Sequence, residues 1–188
     1  MKRIAIFASG SGSNALKIIE HFENNANIEV ALIVTNKRKA GVLAHANFFN
    51  IAQLIINKSY FRRECILNVL KKEKIDLIVL AGFLLLVPKY LITAFPNRIV
   101  NIHPSLLPKY GGKGMYGHHV HEAVKSNSEK ESGLTIHYVN EEFDKGSHIF
   151  QAKIDILPID NPTDIAKKVL KLEHKHYAKV IEKVLIEL

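Results

Sequence analysis

The chain has 188 residues, 47% of them apolar and 23% charged, an ordinary globular composition for one domain that excludes a disordered chain. Its 26 Lys and Arg exceed 18 Asp and Glu, for a net charge of +8. The lysines are dispersed, however, and neither an arginine-rich arm nor an RNA-binding aromatic motif accompanies them, so no nucleic-acid partner is expected. A single cysteine, Cys65, excludes an internal disulfide and a Cys-rich zinc site. With no apolar run near the ~20 residues of a membrane helix and no signal-peptide core, a cytoplasmic protein away from membranes is predicted.

Arg3–Ala8 is a continuous apolar run, as a strand buried on both faces requires. Ala15, Leu16, Ile18, Ile19 and Phe22 then recur at helical spacing, with Ser13 or Asn14 as the expected cap. Val30–Val34 reads as a second strand, Gly41–Phe49 as a short helix and Ala52–Ile56 as a third strand. Phe61–Lys72 reads as one helix, with Cys65, Ile66, Val69 and Leu70 on its apolar side. Asp76–Ala81 and Arg98–Ile102 are the fourth and fifth strands. This alternation predicts an open, twisted, mostly parallel α/β sheet with a Rossmann-like N-terminal half. The pattern then changes. Leu134–Asn140 and His148–Leu157 suit an antiparallel addition across the acidic turn Glu141–Gly146, and Thr163–Leu188 suits a long final helix capped by Thr163 or Asn161. Residues 1–188 are expected to form one domain.

Three segments carry chemistry. Ser9-Gly10-Ser11-Gly12-Ser13-Asn14 lies between a strand and a helix, where glycines allow close backbone approach and the helix start offers N–H groups to a phosphate. Gly10-x-Gly12-x-x-Ala15 also satisfies a dinucleotide fingerprint, but Thr35-Asn36-Lys37-Arg38 lacks the acid such a site needs. Asn101 and His103 are two apart at the carboxyl end of the fifth strand, so they project from one side at the ligand-binding edge. An amide beside an imidazole suits a developing oxyanion, though a lone Asn-x-His fits scaffold equally well. Asp144 lies in the acidic turn, with His137 on the preceding strand. Near His103 it would raise the imidazole pKa; alone, it fits turn chemistry as readily. No Gly-x-Ser-x-Gly elbow supports a hydrolase. His118, His119 and His121 read as incidental histidines of a glycine-rich loop, not metal ligands.

In chain order, Ser-Gly-Ser-Gly-Ser-Asn at 9–14, Leu-Ala-Gly-Phe at 80–83, Asn-Ile-His-Pro-Ser-Leu-Leu-Pro-Lys-Tyr at 101–110, Gly-x-x-x-His-Tyr-Val at 133–139, Asp-x-Gly at 144–146, Gln-Ala-Lys at 151–153 and Glu-His at 173–174 resemble the glycinamide ribonucleotide formyltransferase family, within the folate-dependent formyltransferases. The resemblance implies transfer of the formyl group of 10-formyltetrahydrofolate to the amine of glycinamide ribonucleotide in purine biosynthesis, without a metal. It assigns catalysis to Asn101, His103 and Asp144, with His137 in support. It places phosphate and ribose on Gly10, Ser11, Gly12, Ser13, Asn14 and Glu173. The folate falls to Arg63, Leu84, Leu85, Leu86, Val87, Asn101, Asn140, Glu141, Glu142, Phe143 and Asp144. On this reading residues 1–100 form a phosphate-binding half and 101–188 a catalytic, folate-binding half, in a monomer or homodimer. Leu85 replaces an arginine of many relatives, and Gly111–His121 exceeds the equivalent loop in length. The alternative acceptor is methionyl-tRNA. Two other classes remain: a nucleotide-binding module using only the glycine loop, and an RNA-binding protein suggested by charge alone.

Overall fold

Seven strand segments line up side by side in the computed structural model, which describes all 188 residues. In chain order the elements are β1 (Lys2–Phe7), α1 (Ser13–Phe22), β2 (Ile28–Thr35), α2 (Val42–Phe48), β3 (Ala52–Ile55), α3 (Lys58–Arg62) and α4 (Cys65–Lys72). Then come β4 (Leu77–Leu80), α5 (Lys89–Ala94), β5 (Ile99–His103), α6 (His118–Ser126), β6 (Glu131–Tyr138), β7 (His148–Asp155) and α7 (Pro162–Glu187). The strands pair in the order β3-β2-β1-β4-β5-β6-β7. The first five run parallel; β6 and β7 add antiparallel, as the change of pattern after the fifth strand predicts.

Central strands such as β4, Leu-Ile-Val-Leu, are buried at every position because helices cover both sheet faces. One core layer packs β1 residues Ile4 and Ile6 against α1, α2 and α7; the other packs Ala5 and Phe7 against α3, α4 and α5. Helix α7 contributes Ile165, Val169, Ile181, Val184 and Leu185, whose spacing draws one apolar stripe along 26 residues. Burial at about 1.5–3 kcal/mol per large aliphatic side chain outweighs any propensity effect in holding this helix. Its start is a reciprocal cap: Asn161 accepts from the Asp164 N–H at 3.0 Å and Asp164 accepts from the Asn161 N–H at 3.1 Å.

Three local expectations are corrected. Neither Ser13 nor Asn14 caps α1: Gly12 is the N-cap, at φ 80°, and an added Cβ there would lie 2.7 Å from Val42. The first-turn N–H groups of α1 are thus left without a side-chain cap. The helix expected over Phe61–Lys72 is two helices, because Arg63 is extended and Tyr90 donates its hydroxyl to the Phe61 carbonyl at 2.7 Å. A continuous helix would have used that carbonyl internally. Cys65, expected on the apolar side, is consequently exposed. Finally, the histidines read as loop residues open helix α6, whose Val120 and Val124 pack on Ile165 and Val169 of α7.

Tyr177, fully buried on α7, donates to the carbonyls of Leu80 at 2.8 Å and Val100 at 3.3 Å, pinning the helix to the ends of β4 and β5. Tyr177→Phe should destabilise the protein by about 0.5–1.5 kcal/mol in urea unfolding, because it removes a buried hydrogen bond between helix and sheet.

Candidate functional site

The chain reverses its direction of travel across the sheet at β1, with β2 on one side and β4 on the other. The crevice beyond the carboxyl ends of such strands is where open α/β sheets bind ligands. A cavity of about 770 Å³ opens there. Ser9, Gly10 and Asn14 border one end; Leu84, Leu85, Leu86 and Val87 form a wall; Asn101, His103, His137 and Asp144 stand at its floor.

The floor residues come from three elements. Asn101 and His103 share the face of β5 that Ile99 also occupies, and Asn101 pairs in register with His137 of the antiparallel β6. Asp144 arrives from the β6–β7 turn at φ 56°, a left-handed conformation that Asp and Asn adopt more readily than most residues. Gly146 in the same turn approaches so closely that a Cβ would fall 1.6 Å from the Tyr138 carbonyl oxygen. The turn thereby delivers one carboxylate to four partners. Asp144 Oδ2 lies 3.4 Å from His103 Nδ1 and accepts from the Gly112 N–H at 2.9 Å. Its Oδ1 lies 3.6 Å from His137 Nε2 and accepts from Asn101 Nδ2 at 3.4 Å. Backbone carbonyls fix both rings: His103 Nε2 donates to Tyr110 at 2.7 Å and His137 Nδ1 donates to Tyr138 at 2.9 Å. His137 Nε2 is left to accept from Asn101 Nδ2, 3.1 Å away.

Burial raises the Asp144 pKa, but the adjacent His137 and His103 imidazoles and the Gly112 N–H together outweigh it and hold the carboxyl below its ordinary range. His103 shows the opposite balance. It is 4% exposed, and burial lowers its pKa; Asp144 and the Tyr110 carbonyl push upward without reversing the shift. The contact anticipated from the sequence exists, with its expected sign, yet the net direction for His103 is down. Near pH 7 the ring is neutral, with its proton on Nε2. An NMR titration of the ring nitrogens should give a His103 midpoint below 6.5, moved further down by Asp144→Asn.

At the other end, Asn14 donates to Glu173 of α7 at 2.6 Å, and its own Oδ1 is buried without a partner. Burial raises the Glu173 pKa, against the lesser pull of Asn14. A raised carboxyl favours the protonated form in the fold, so its contribution to stability is present at low pH and lost as pH rises through the carboxylate range. Glu173→Gln keeps an acceptor for Asn14 and removes the ionisation. Its Tm at pH 8 should rise, by about 2–4 °C for each kcal/mol relieved.

Among residues anticipated from the sequence, Gly10, Asn14, Leu84–Val87, Asn101, His103, His137, Glu142, Phe143, Asp144 and Glu173 line the cavity. Ser11, Gly12 and Ser13 shape the glycine loop behind that lining, and Asn140 and Glu141 lie in the turn outside it. Arg63 is exposed at the break between α3 and α4 and is not among the residues that line the cavity. Unanticipated contributors include Lys37, the segment Gly112–His118 and His121; Ser9, the first residue of the glycine loop, lines the cavity as well. His121 is buried, with Nδ1 unpartnered and a pKa lowered to about 4 by burial and by His118 and His103. The glycine spacing of 111–117, next to the catalytic block, was the available signal for that wall.

Fold and site together define an α/β enzyme with an acid–base cluster at the carboxyl edge of its sheet. The chain belongs to the formyl transferase family, which residues 2–181 match. It is 43% identical over 189 residues to "Phosphoribosylglycinamide formyltransferase, chloroplastic" of Arabidopsis thaliana, an alignment covering 96% of this chain and 64% of that relative. A Vigna unguiculata relative of the same description is 38% identical and 60% covered, so the chain spans less than two thirds of either plant protein. Phosphoribosylglycinamide formyltransferase of Bacillus subtilis is 37% identical, with 98% of this chain and 95% of the relative aligned. A solved phosphoribosylglycinamide formyltransferase from Bacillus halodurans superposes with a TM-score of 0.89 at 36% identity, covering 98% of this chain and 95% of that one.

Proposed function

We propose that this chain transfers the formyl group of 10-formyltetrahydrofolate to the amine of N1-(5-phospho-D-ribosyl)glycinamide. The observation carrying the reading is the convergence of Asn101, His103 and Asp144 around one end of a cavity whose other end is the uncapped start of α1. The family supplies the formyl chemistry, and the cavity suits both substrates. The apolar Leu84–Val87 wall and Phe143 face a flat heterocycle, with Glu142 and Asp144 at its edge. Gly10 has no heavy atom within 4 Å of an added Cβ, so its surface is open toward a phosphate at the α1 N–H groups.

The reacting groups divide the work. The acceptor amine attacks the formyl carbon, and the carbonyl oxygen gains the charge. Asn101 can turn an Nδ2–H from its long 3.4 Å contact with Asp144 to that oxygen, because His137 holds the rest of the amide in place. His103, neutral beforehand, accepts the proton the amine loses. The resulting imidazolium is paired with Asp144 and faces the oxyanion, and it returns the proton to the departing folate nitrogen. One C–N bond forms, one breaks, and the proton moves between the two nitrogens. We further infer that residues 1–188 act as one unit: the apolar wall and glycine loop come from residues before 101, and the acid–base groups from those after.

Mixing the protein with a 10-formyl folate and the ribonucleotide should release deformylated folate, followed by absorbance, with no comparable rate for methionyl-tRNA. Asp144→Asn should lower kcat/KM by about a hundredfold or more. Asn tolerates the left-handed backbone at this position, so the loss reads the charge and not the turn. Retention of full activity would remove Asp144 from the mechanism.

A further inference from the structure

Beyond the last paired residues of β1 and β4, Phe7 with Leu80, the two chains part. One becomes the glycine loop and α1; the other becomes the apolar wall and α5. Ser9 stands at the fork, 2% exposed and bordering the cavity. Its N–H donates to the Gly82 carbonyl at 3.1 Å. Its hydroxyl donates to Asn36 Oδ1 at 2.6 Å and accepts from the Leu84 N–H at 3.0 Å. This is the one side-chain hydrogen bond between the glycine loop and the wall.

We propose that Ser9 is a positioning residue whose hydroxyl fixes the Leu84–Val87 wall, and with it the seat of the formyl donor, against the root of the glycine loop. The inference rests on the formyl-transfer reading and adds a residue to it. A hydroxyl has one proton and two acceptor lone pairs. Asn36 takes the proton, which turns a lone pair toward the Leu84 N–H; without that acceptor the hydroxyl is free to rotate and lose the wall. The two sides of the fork differ in what else holds them. The glycine loop has its own backbone ties, Val42 N–H to Gly10 O at 3.3 Å and Leu16 N–H to Gly12 O at 2.8 Å. The wall is packed at Phe83, edge-on to Phe7 and Phe61 at 5.3 Å, and at buried Val87, but Leu84 and Leu86 between them are exposed and Gly82 at its base has a positive φ. Loss of the tie therefore frees the Leu84–Leu86 stretch of the wall and leaves the loop.

The test is steady-state kinetics with each substrate varied in turn, on wild type, Ser9→Ala, Asn36→Leu, Asn36→Asp and the Ser9→Ala/Asn36→Leu double variant, with Tm measured for all. Ser9→Ala should raise KM for the formyl donor by about threefold to tenfold, the scale of one hydrogen bond, and change KM for the ribonucleotide by less than about twofold. Asn36→Leu should shift the donor KM in the same direction, and the double variant no further than Ser9→Ala, because both break one chain of bonds. Asn36→Asp keeps the acceptor and should match wild type in donor KM. An unchanged donor KM in Ser9→Ala, equal rises in both KM values, or additive single effects would each overturn the assignment. Absence of formyl transfer in wild type would instead defeat the parent reading, a separate result.

Discussion

The rest of the site depends on one carboxylate being held where two imidazoles, a side-chain amide and a backbone N–H can all reach it. Asp144 is the only acid on the cavity floor, and every polar group there is oriented with respect to it. A buried carboxylate without such partners would take up a proton. The Gly112 N–H and the Asn101 amide, which donate to Asp144, are therefore part of what favours its charge. At His103 burial outweighs the pull of that carboxylate, and the ring's pKa is lowered.

That balance constrains the surrounding structure. His103 can be neutral in a defined tautomer because the Tyr110 carbonyl claims Nε2–H, and Tyr110 turns that carbonyl inward from a positive-φ backbone, φ 57°. The 105–110 turn is braced in its own right: Thr135 donates to the Ser105 carbonyl at 2.7 Å, and Gln151 donates to the Leu107 carbonyl at 3.0 Å. The antiparallel strands β6 and β7 thus do more than extend the sheet. They supply His137, the brace and the turn that carries Asp144, three contributions to one edge of the cavity.

Much of this was legible in the sequence, because strands buried on both faces write continuous apolar runs and the Asn101-x-His103 block sits where such a strand ends. Asn101 and His103 could be assigned to one face from their spacing, and the acidic turn after β6 from its Asp and Gly. Long-range hydrogen bonds were not legible. The split between α3 and α4, where Arg63 sits, is marked by Tyr90 reaching back 29 residues to Phe61. The capping of α1 was misjudged for the same reason: Asn14, a good cap by composition, is drawn instead to Glu173, 159 residues away. The net direction of the His103 shift needed burial, which spacing does not report.

The cavity carries a different kind of tension as well. Asn14 Oδ1 and His121 Nδ1 are both buried without partners, and Glu173 has a single hydrogen bond for a carboxyl that burial pushes toward protonation. Unpaired buried polar atoms each cost about 1–3 kcal/mol. A fold gains nothing from keeping them, since an apolar replacement would pack as well. Two such atoms and a singly bonded carboxyl around one cavity leave hydrogen-bonding capacity that the protein itself does not satisfy. The Leu84–Val87 wall is built the other way, from apolar side chains. The cavity is thus asymmetric, with unsatisfied polar atoms on Asn14 and His121, an apolar wall, and the Asp144 carboxylate at its floor.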